Sequence, residues 1–376
     1  MRSCIYARTH FSFFQTSQHP LLIIKAPQKQ LFLTTTKSPD MTKKLYNLMS
    51  TVRLIAMMFI CALFLTACGS DGGSGSDNDD DNKTEQKNNV NQNPASGYDT
   101  NKKSLNAAQR LEFPDINKPK GNYYVIVHTV SGAGNQYTFA GKTYTYDADG
   151  INFCTIWDKD KKSQLCSCYQ LHRGYGGEHK RVSGLTYPAD EDLPTAYRID
   201  DYMRGSAFQH GHILPHIERT YSYDANRQTN FLTNMQPQYP KFNGFDDKDN
   251  SHTGLWLLME GKVQRLAKNI GASDTLFVCK GGTIQNGQVL MKIKDKMIVP
   301  KYFFMAVLKK SSNGTYRAFG FWTEHLNNYV PSNTDLKQYS MSIDDLEKKT
   351  GMDFFCNLPD NIEKEVESKN SYSQLF

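Results

Sequence analysis

The feature that most restricts this chain is a long interval almost empty of large apolar side chains. Residues 69–107 consist mainly of Gly, Ser, Asp, Asn, Lys and Gln. Such a segment cannot bury enough surface to offset the entropy of ordering it. A disordered tether over 68–107 is therefore expected, and the folding residues are confined to 108–376. Apolar residues are 39% of the 376 and aromatics 12%, an ordinary globular share, so what the tether lacks is concentrated downstream. No second low-complexity break or internal repeat interrupts that part, which predicts a single domain.

Upstream, the apolar run from Leu54 to Leu65 is preceded by Lys43, Lys44 and Arg53 and followed by Thr66-Ala67-Cys68-Gly69-Ser70. A basic flank, a stretch short for a bilayer and small residues before a cysteine describe a secretory signal over 41–67. Leu65-Thr66-Ala67-Cys68 resembles a bacterial lipobox. The resemblance implies cleavage before Cys68, lipid on that cysteine, and a membrane-anchored lipoprotein of the cell envelope, at the outer membrane. A plain N-terminal anchor is the other reading. Residues 1–40 fit neither a signal nor a domain, and Met41 or Met49 would each start a signal of normal length. The acidic run 76–81 suits surface export as well as it suits a solvated linker.

Formal net charge is +6, diluted by the acidic tether, and a mildly basic domain suits a polyanionic partner. Beyond Cys68 lie Cys154, Cys166, Cys168, Cys279 and Cys356. In an exported protein some would pair, and a turn over 158–162 makes Cys154 with Cys166 or Cys168 the best candidate. The odd count leaves one thiol free.

Strand-like runs occupy 123–130, 152–157, 164–171, 229–234, 275–279 and 302–308, with 316–323 expected to pair with the last. Leu255, Leu258, Met259, Val263 and Leu266 predict a helix over 254–268, with Ser251 and Thr253 as possible caps. A second helix over 342–350 opens with a Ser-x-x-Asp capping pattern and stops at Gly351. Strands interrupted by a few helices make an α+β domain.

The densest polar cluster is Gln209-His210-Gly211-His212-Ile213-Leu214-Pro215-His216, with three of the ten histidines. On a strand His210 and His212 share a face, which with His216 would allow a zinc site, although no carboxylate or cysteine stands at ligand spacing nearby. Satisfied structural histidines are a second reading. A single histidine presented at a strand end as general base is the third.

Downstream follow Arg219, then Thr229-Asn-Phe-Leu-Thr-Asn234-Met-Gln-Pro237-Gln238, Phe242-Asn243-Gly244 and Trp256-Leu-Leu-Met-Glu260. With Gly211-His212 this order resembles the DNA/RNA non-specific endonucleases of the ββα-metal (His-Me finger) type, whose motif is Asp-Arg-Gly-His followed by Asn, Pro-Gln, a metal-binding Asn and Trp-x-x-x-Glu. The stretch 342–359 also looks like the end of that domain, so the likeness covers about 120–365. It implies a central mixed or antiparallel sheet flanked by helices, and a metal-dependent endonuclease cutting DNA and RNA without sequence preference to leave 5′-phosphate ends. It further implies that His212 is the general base and Asn243 the direct Mg²⁺ ligand. Glu260 would order metal-bound water, Asn234 would be a positioning residue, and Arg181 would stand in the place of the phosphate-contacting arginine. His210 and Arg219 would meet substrate. Mg²⁺ takes oxygen ligands and keeps much of its water, which suits one neutral Asn carbonyl.

Two departures stand out. Gln209-His210 replaces Asp-Arg, removing a carboxylate and a guanidinium beside the base. An insertion over 245–252 separates Asn243 from Trp256, so that counting back from Trp256 makes His252 a competing ligand, better suited to Mn²⁺ or Zn²⁺. The other functional readings are a catalytically weakened nucleic-acid-binding lipoprotein on the same fold and a zinc metallohydrolase built on His210, His212 and His216.

Overall fold

The computed structural model describes residues 89–177, 182, 186–244 and 252–376. Along the chain, β1 (Tyr123–Thr129) leads to the hairpin β2 (Gln136–Phe139) and β3 (Lys142–Thr145), then β4 (Ile151–Asp158) and β5 (Ser163–His172). After a long connection come β6 (Gln209–His212), α1 (Tyr223–Gln228), β7 (Met235–Gln238), α2 (Pro240–Asn243), β8 (His252–Thr253) and α3 (Leu255–Asn269). The last third holds β9 (Thr275–Gly282), β10 (Val289–Ile293), β11 (Met297–Pro300), β12 (Tyr302–Lys310), β13 (Tyr316–Glu324), β14 (Val330–Pro331) and β15 (Ser340–Met341). Then follow α4 (Ile343–Thr350), α5 (Asp360–Glu367) and α6 (Tyr372–Leu375).

Seven strands form the central sheet in the order β1-β4-β5-β9-β12-β13-β15, with antiparallel neighbours throughout. This is the α+β architecture expected. Every residue of β4 is buried, because both faces of the sheet are covered. The two-residue alternation of strands sorts the side chains. On one face Leu171, Val278, Met305 and Phe319 pack under α3, whose Trp256, Met259 and Val263 fall at helical spacing. On the other, Ile156, Cys166, Cys279 and Phe304 meet Phe113 from before the sheet and Leu346, Phe354 and Phe355 from after it.

Several expectations need correction. Residues 89–107, placed in the tether, are packed onto the domain. Asn89 donates to the carbonyl of Cys356 at 2.9 Å, Asn93 is buried and donates to the carbonyls of Ala108 and Pro114, and Thr100 bridges Val125 beside β1. Polar composition concealed this because hydrogen bonds from Asn89 and the buried Asn93 make much of the attachment, with only a few apolar side chains, Tyr98, Leu105 and Ala107, packed on the core. The rest of the expected tether, the expected signal segment and Cys68 lie outside the described residues. Residues 229–234 are not a strand: Thr229 caps α1 and Leu232–Asn234 is a 3-10 turn. There the Thr229 hydroxyl and Asn230 amide both donate to the carbonyl of Asn226, offering the backbone a local alternative to a ladder. α3 begins at Gly254 with no side-chain cap, whereas Ser342 caps α4 as expected, accepting from the amide of Asp345. All five cysteines of the domain are buried free thiols. Cys154 is the register partner of Cys168, but the sulfurs in contact are Cys166 with Cys168 at 3.8 Å and Cys168 with Cys279 at 3.9 Å.

Candidate active site

The site is built on the short antiparallel pair β6–β7, followed in the chain by α3, a strand-strand-helix unit. Gly211 faces Gln236 in this pair, and a Cβ on Gly211 would come within 2.2 Å of the buried Gln238 side chain, so the backbone packs where only glycine fits. His210 and His212 flank this glycine on β6 and both line a cavity of about 550 Å³.

Asn234 fixes the end of β6. Its Oδ1 accepts from the amide of Leu214 at 2.9 Å and from Ser167 Oγ on β5 at 3.2 Å. Its Nδ2 donates to the carbonyls of Leu214 at 2.9 Å and Thr229 at 2.8 Å, and its own carbonyl accepts from Ile213. One fully buried amide thus holds the two residues after His212 against the central sheet.

Across the cavity stands Asn243, at the end of α2, where Gly244 takes φ 85° and turns the chain out of the helix. Its Nδ2 donates to Gln209 Oε1 at 2.8 Å, which sets the amide so that Oδ1 is the end left to meet a cation. The two ends of the insertion come together here: a Cβ on Gly254 would lie 2.3 Å from the carbonyl oxygen of Phe242 and 2.4 Å from the nitrogen of Gly244. In space Asn243 therefore leads almost directly into α3, as though the inserted residues were absent. His252 pairs its backbone with Pro331 in the β8–β14 bridge.

His210 stacks on Tyr187, ring centroids 3.9 Å apart and planes 8° apart, and its Nε2 meets Asp201 Oδ1 at 2.8 Å. A carboxylate, Asp201, thus meets His210 although none stands before it in the chain; the pair is half-buried, and His210 is the member that lines the cavity. His216 also lines the cavity, edge-on to His212 at 5.8 Å. Among the described residues, the sets of three possible metal ligands whose donor atoms lie within 4.8 Å of one another are elsewhere: Cys166, Cys168 and Cys279; His128, Asp190 and Asp192; Asp344, Glu347 and Glu367. The three histidines of the cluster do not form a converged zinc set.

The sequence profile of the DNA/RNA non-specific endonucleases matches residues 130–361. The chain belongs to this family. Similar proteins include a nuclease of Nostoc sp., 29% identical over 58% of this chain and 76% of its own, and nuclease C1 of Cunninghamella echinulata, 28% identical over 46% of this chain and 67% of its own. A crystal structure of the EndoG/EndoGI complex matches with a TM-score of 0.45 and 17% identity, covering 61% of this chain and 89% of that one.

The endonuclease fold brings His212, His210 and Asn243 to one cavity and leaves other expected site residues off its walls. Arg219, expected at substrate, is fully buried; it donates to the carbonyls of Glu218, Asn152 and Gln170 and lies over the rings of Tyr146 and Tyr169. That is a correction: its charge ties the connection after β6 to β4 and β5. Glu260 is likewise buried, with Lys280 Nζ on β9 at 2.6 Å, and burial raises its carboxyl to about 7 against the pull of Lys280. Asn234 is fully buried and spends its side chain on Ser167 Oγ and on the backbone of Leu214 and Thr229. Arg181 lies outside the described residues. Sequence reading missed Asp201, Tyr187 and the partnership of Gln209 with Asn243, since neither tyrosine nor aspartate stands in a spacing that marks it.

Proposed function

We propose that this family member hydrolyses phosphodiester bonds of DNA and RNA with His212 as general base and a divalent cation, Mg²⁺ for preference, held by Asn243. The supporting observation is the convergence of His212 and Asn243 on one cavity, with the Asn243 amide oriented by Gln209. The donor set fits a hard ion: one neutral carbonyl oxygen with no thiolate beside it suits a cation that keeps most of its water.

Neutral imidazole at His212 takes a proton from water as its oxygen attacks phosphorus; the bond to the 3′ oxygen breaks, that oxygen takes a proton from solvent water to become the 3′-hydroxyl, and a 5′-phosphate is left. Gly211 lets β6 lie close on Gln238, and Asn234 prevents the imidazole from swinging with the connection that follows. His210, held between Tyr187 and Asp201, stands where a phosphate oxygen would receive a hydrogen bond when the ring is cationic. Asn243 would hold a divalent cation, which would supply electrostatic stabilisation of the negative charge that develops during the reaction. Contacts to phosphate alone carry no sequence information, which accounts for cleavage without base preference.

The N-terminal features support secretion, lipid attachment at Cys68 and a place at the outer membrane, with residues 69–88 as spacer. The test is cleavage of plasmid DNA and of RNA with Mg²⁺ or EDTA, alongside His212→Ala. Cleavage only with metal, reduced on the order of a hundredfold or more in the variant, is expected. Binding without cleavage in the wild type would show instead that Gln209-His210 has cost the activity, and stoichiometric tightly bound zinc would favour a metallohydrolase.

A further inference from the structure

Beside the cavity lies a second cleft of about 480 Å³, and the segment 199–206 separates them. Asp200 and Tyr202 line the cleft, while Met203, Arg204 and Ser206 line the cavity. The far wall is cationic because two tight turns meet there. The β4–β5 turn carries Lys161 and Lys162, the latter at φ 48°, and the β10–β11 hairpin carries Lys292 and Lys296. Arg198 completes the set, fixed by donating to the carbonyls of Leu193 at 2.8 Å and Glu191 at 3.4 Å. Lys161 is already engaged by Asp158 at 3.4 Å and Gln285 at 2.8 Å, which leaves four cations against three lining aspartates, of which Asp160 accepts from Asn122 and Asp200 from the hydroxyl of Tyr202.

The cleft and the cavity share a packed base. β11 packs against β7, the strand paired with β6, and Met203, Phe208, Met235, Ile293 and Met297 form one apolar cluster beneath both.

We propose that this cleft is a phosphate-backbone subsite for the nucleic-acid strand flanking the scissile phosphate, with Lys162, Lys292, Lys296 and Arg198 as its contacts. The inference rests on the nuclease reading and extends it, assigning affinity for long substrates to a surface next to the cavity that His212 lines but not part of it. Each lysine that neutralises a phosphate releases a condensed counterion, so removing contacts lowers both affinity and its salt dependence.

The test is the triple variant Lys162→Glu/Lys292→Glu/Lys296→Glu, whose three side chains are exposed, with Lys364→Glu as a charge control on α5. Cleavage of an oligonucleotide of about 20 nucleotides and of one of about 3 would be compared across NaCl concentrations. The expected result is that the preference for the longer substrate, as kcat/KM, falls at least tenfold in the triple variant only. The slope of log KM against log salt should also fall by about two, since each lost contact contributes about 0.7 for a single strand. A triple variant with wild-type length preference and salt slope overturns the subsite and leaves the nuclease reading intact. A wild type that cleaves neither substrate overturns both.

Discussion

Asn243 and Gln209 are joined side chain to side chain, Nδ2 to Oε1 at 2.8 Å, so the residue proposed to meet the cation is aimed by the residue that stands where relatives are expected to carry an aspartate. Gln209→Leu should therefore leave the fold in place but let the Asn243 amide rotate. Partners of metal ligands are typically worth 10- to 100-fold in metal affinity or activity. A Mg²⁺ titration of cleavage should show the half-saturating concentration rising by about tenfold, with circular dichroism unchanged. An unaltered Mg²⁺ dependence would mean that Gln209 does not orient the ligand.

The two ligand assignments also separate cleanly. Because Gly254 abuts Phe242 and Gly244, Asn243 occupies the place just before α3 while His252 is held at the β8–β14 bridge. Asn243→Ala is expected to reduce metal-dependent cleavage to about 1% of wild type or less, whereas His252→Ala should change it by less than about threefold, on the scale of a lost metal contact against a distant substitution. The reverse order of effects would transfer the metal to His252.

How much of this was visible beforehand follows from what kind of signal each residue leaves. The central sheet was legible because β1, β4, β9 and β12 carry runs of apolar residues and β5 mixes apolar and polar residues between turns, and α3 because its core residues recur at helical spacing. His212 and Asn243 were singled out by likeness to a family, and the fold places both on one cavity. Arg219 was not, since a buried arginine that donates to carbonyls looks in sequence like any exposed one. Asp201 and Tyr187 reach His210 through a connection without regular structure, and their roles depend on a long-range fold that no local pattern encodes. The packing of 89–107 was hidden for the same reason: Asn93 and Asn89 attach it by hydrogen bonds, and composition counts them as solvent-seeking.

Asn234 offers a stability test. Asn234→Ala removes partners from the amide and carbonyl of Leu214 and from the carbonyl of Thr229. Leaving buried backbone groups unpaired costs roughly 1–3 kcal/mol each before relaxation, so a net loss of about 3 kcal/mol is expected in urea unfolding. Folded variant should also lose kcat more than it gains KM, because the imidazole of His212 is displaced rather than removed. A variant as stable as wild type would show that water replaces the amide.

The C-terminal carboxyls make stability depend on pH. Burial raises Glu347 to about 8, Glu363 to about 7 and Glu367 to about 10, with neighbouring carboxylates adding to each. Folded values above the unfolded 4.5 mean that the folded state binds protons more tightly, so this contribution is fully present below about pH 4.5 and is lost as pH rises through 7 to 10. The melting temperature should fall by several degrees between about pH 6 and pH 9, and Glu367→Gln should flatten that slope while raising stability at the alkaline end. An unchanged slope in the variant would place the titration elsewhere.

Glu260 poses the question of structure against chemistry most sharply, because the carboxylate expected to order metal-bound water is engaged by the buried Lys280. Glu260→Gln alone leaves an ammonium without its counter-charge and should cost about 3–5 kcal/mol, as breaking a buried pair does. Replacing both as Glu260→Leu/Lys280→Met removes the charge and its partner together and should restore most of that stability. Cleavage by the restored double variant then decides the role. Activity within about threefold of wild type would make the pair a device of the fold alone. A loss of about a hundredfold at wild-type stability would mean that the carboxylate reaches the site's water through its second oxygen, and that Lys280 keeps it ionised for that purpose despite its raised proton affinity.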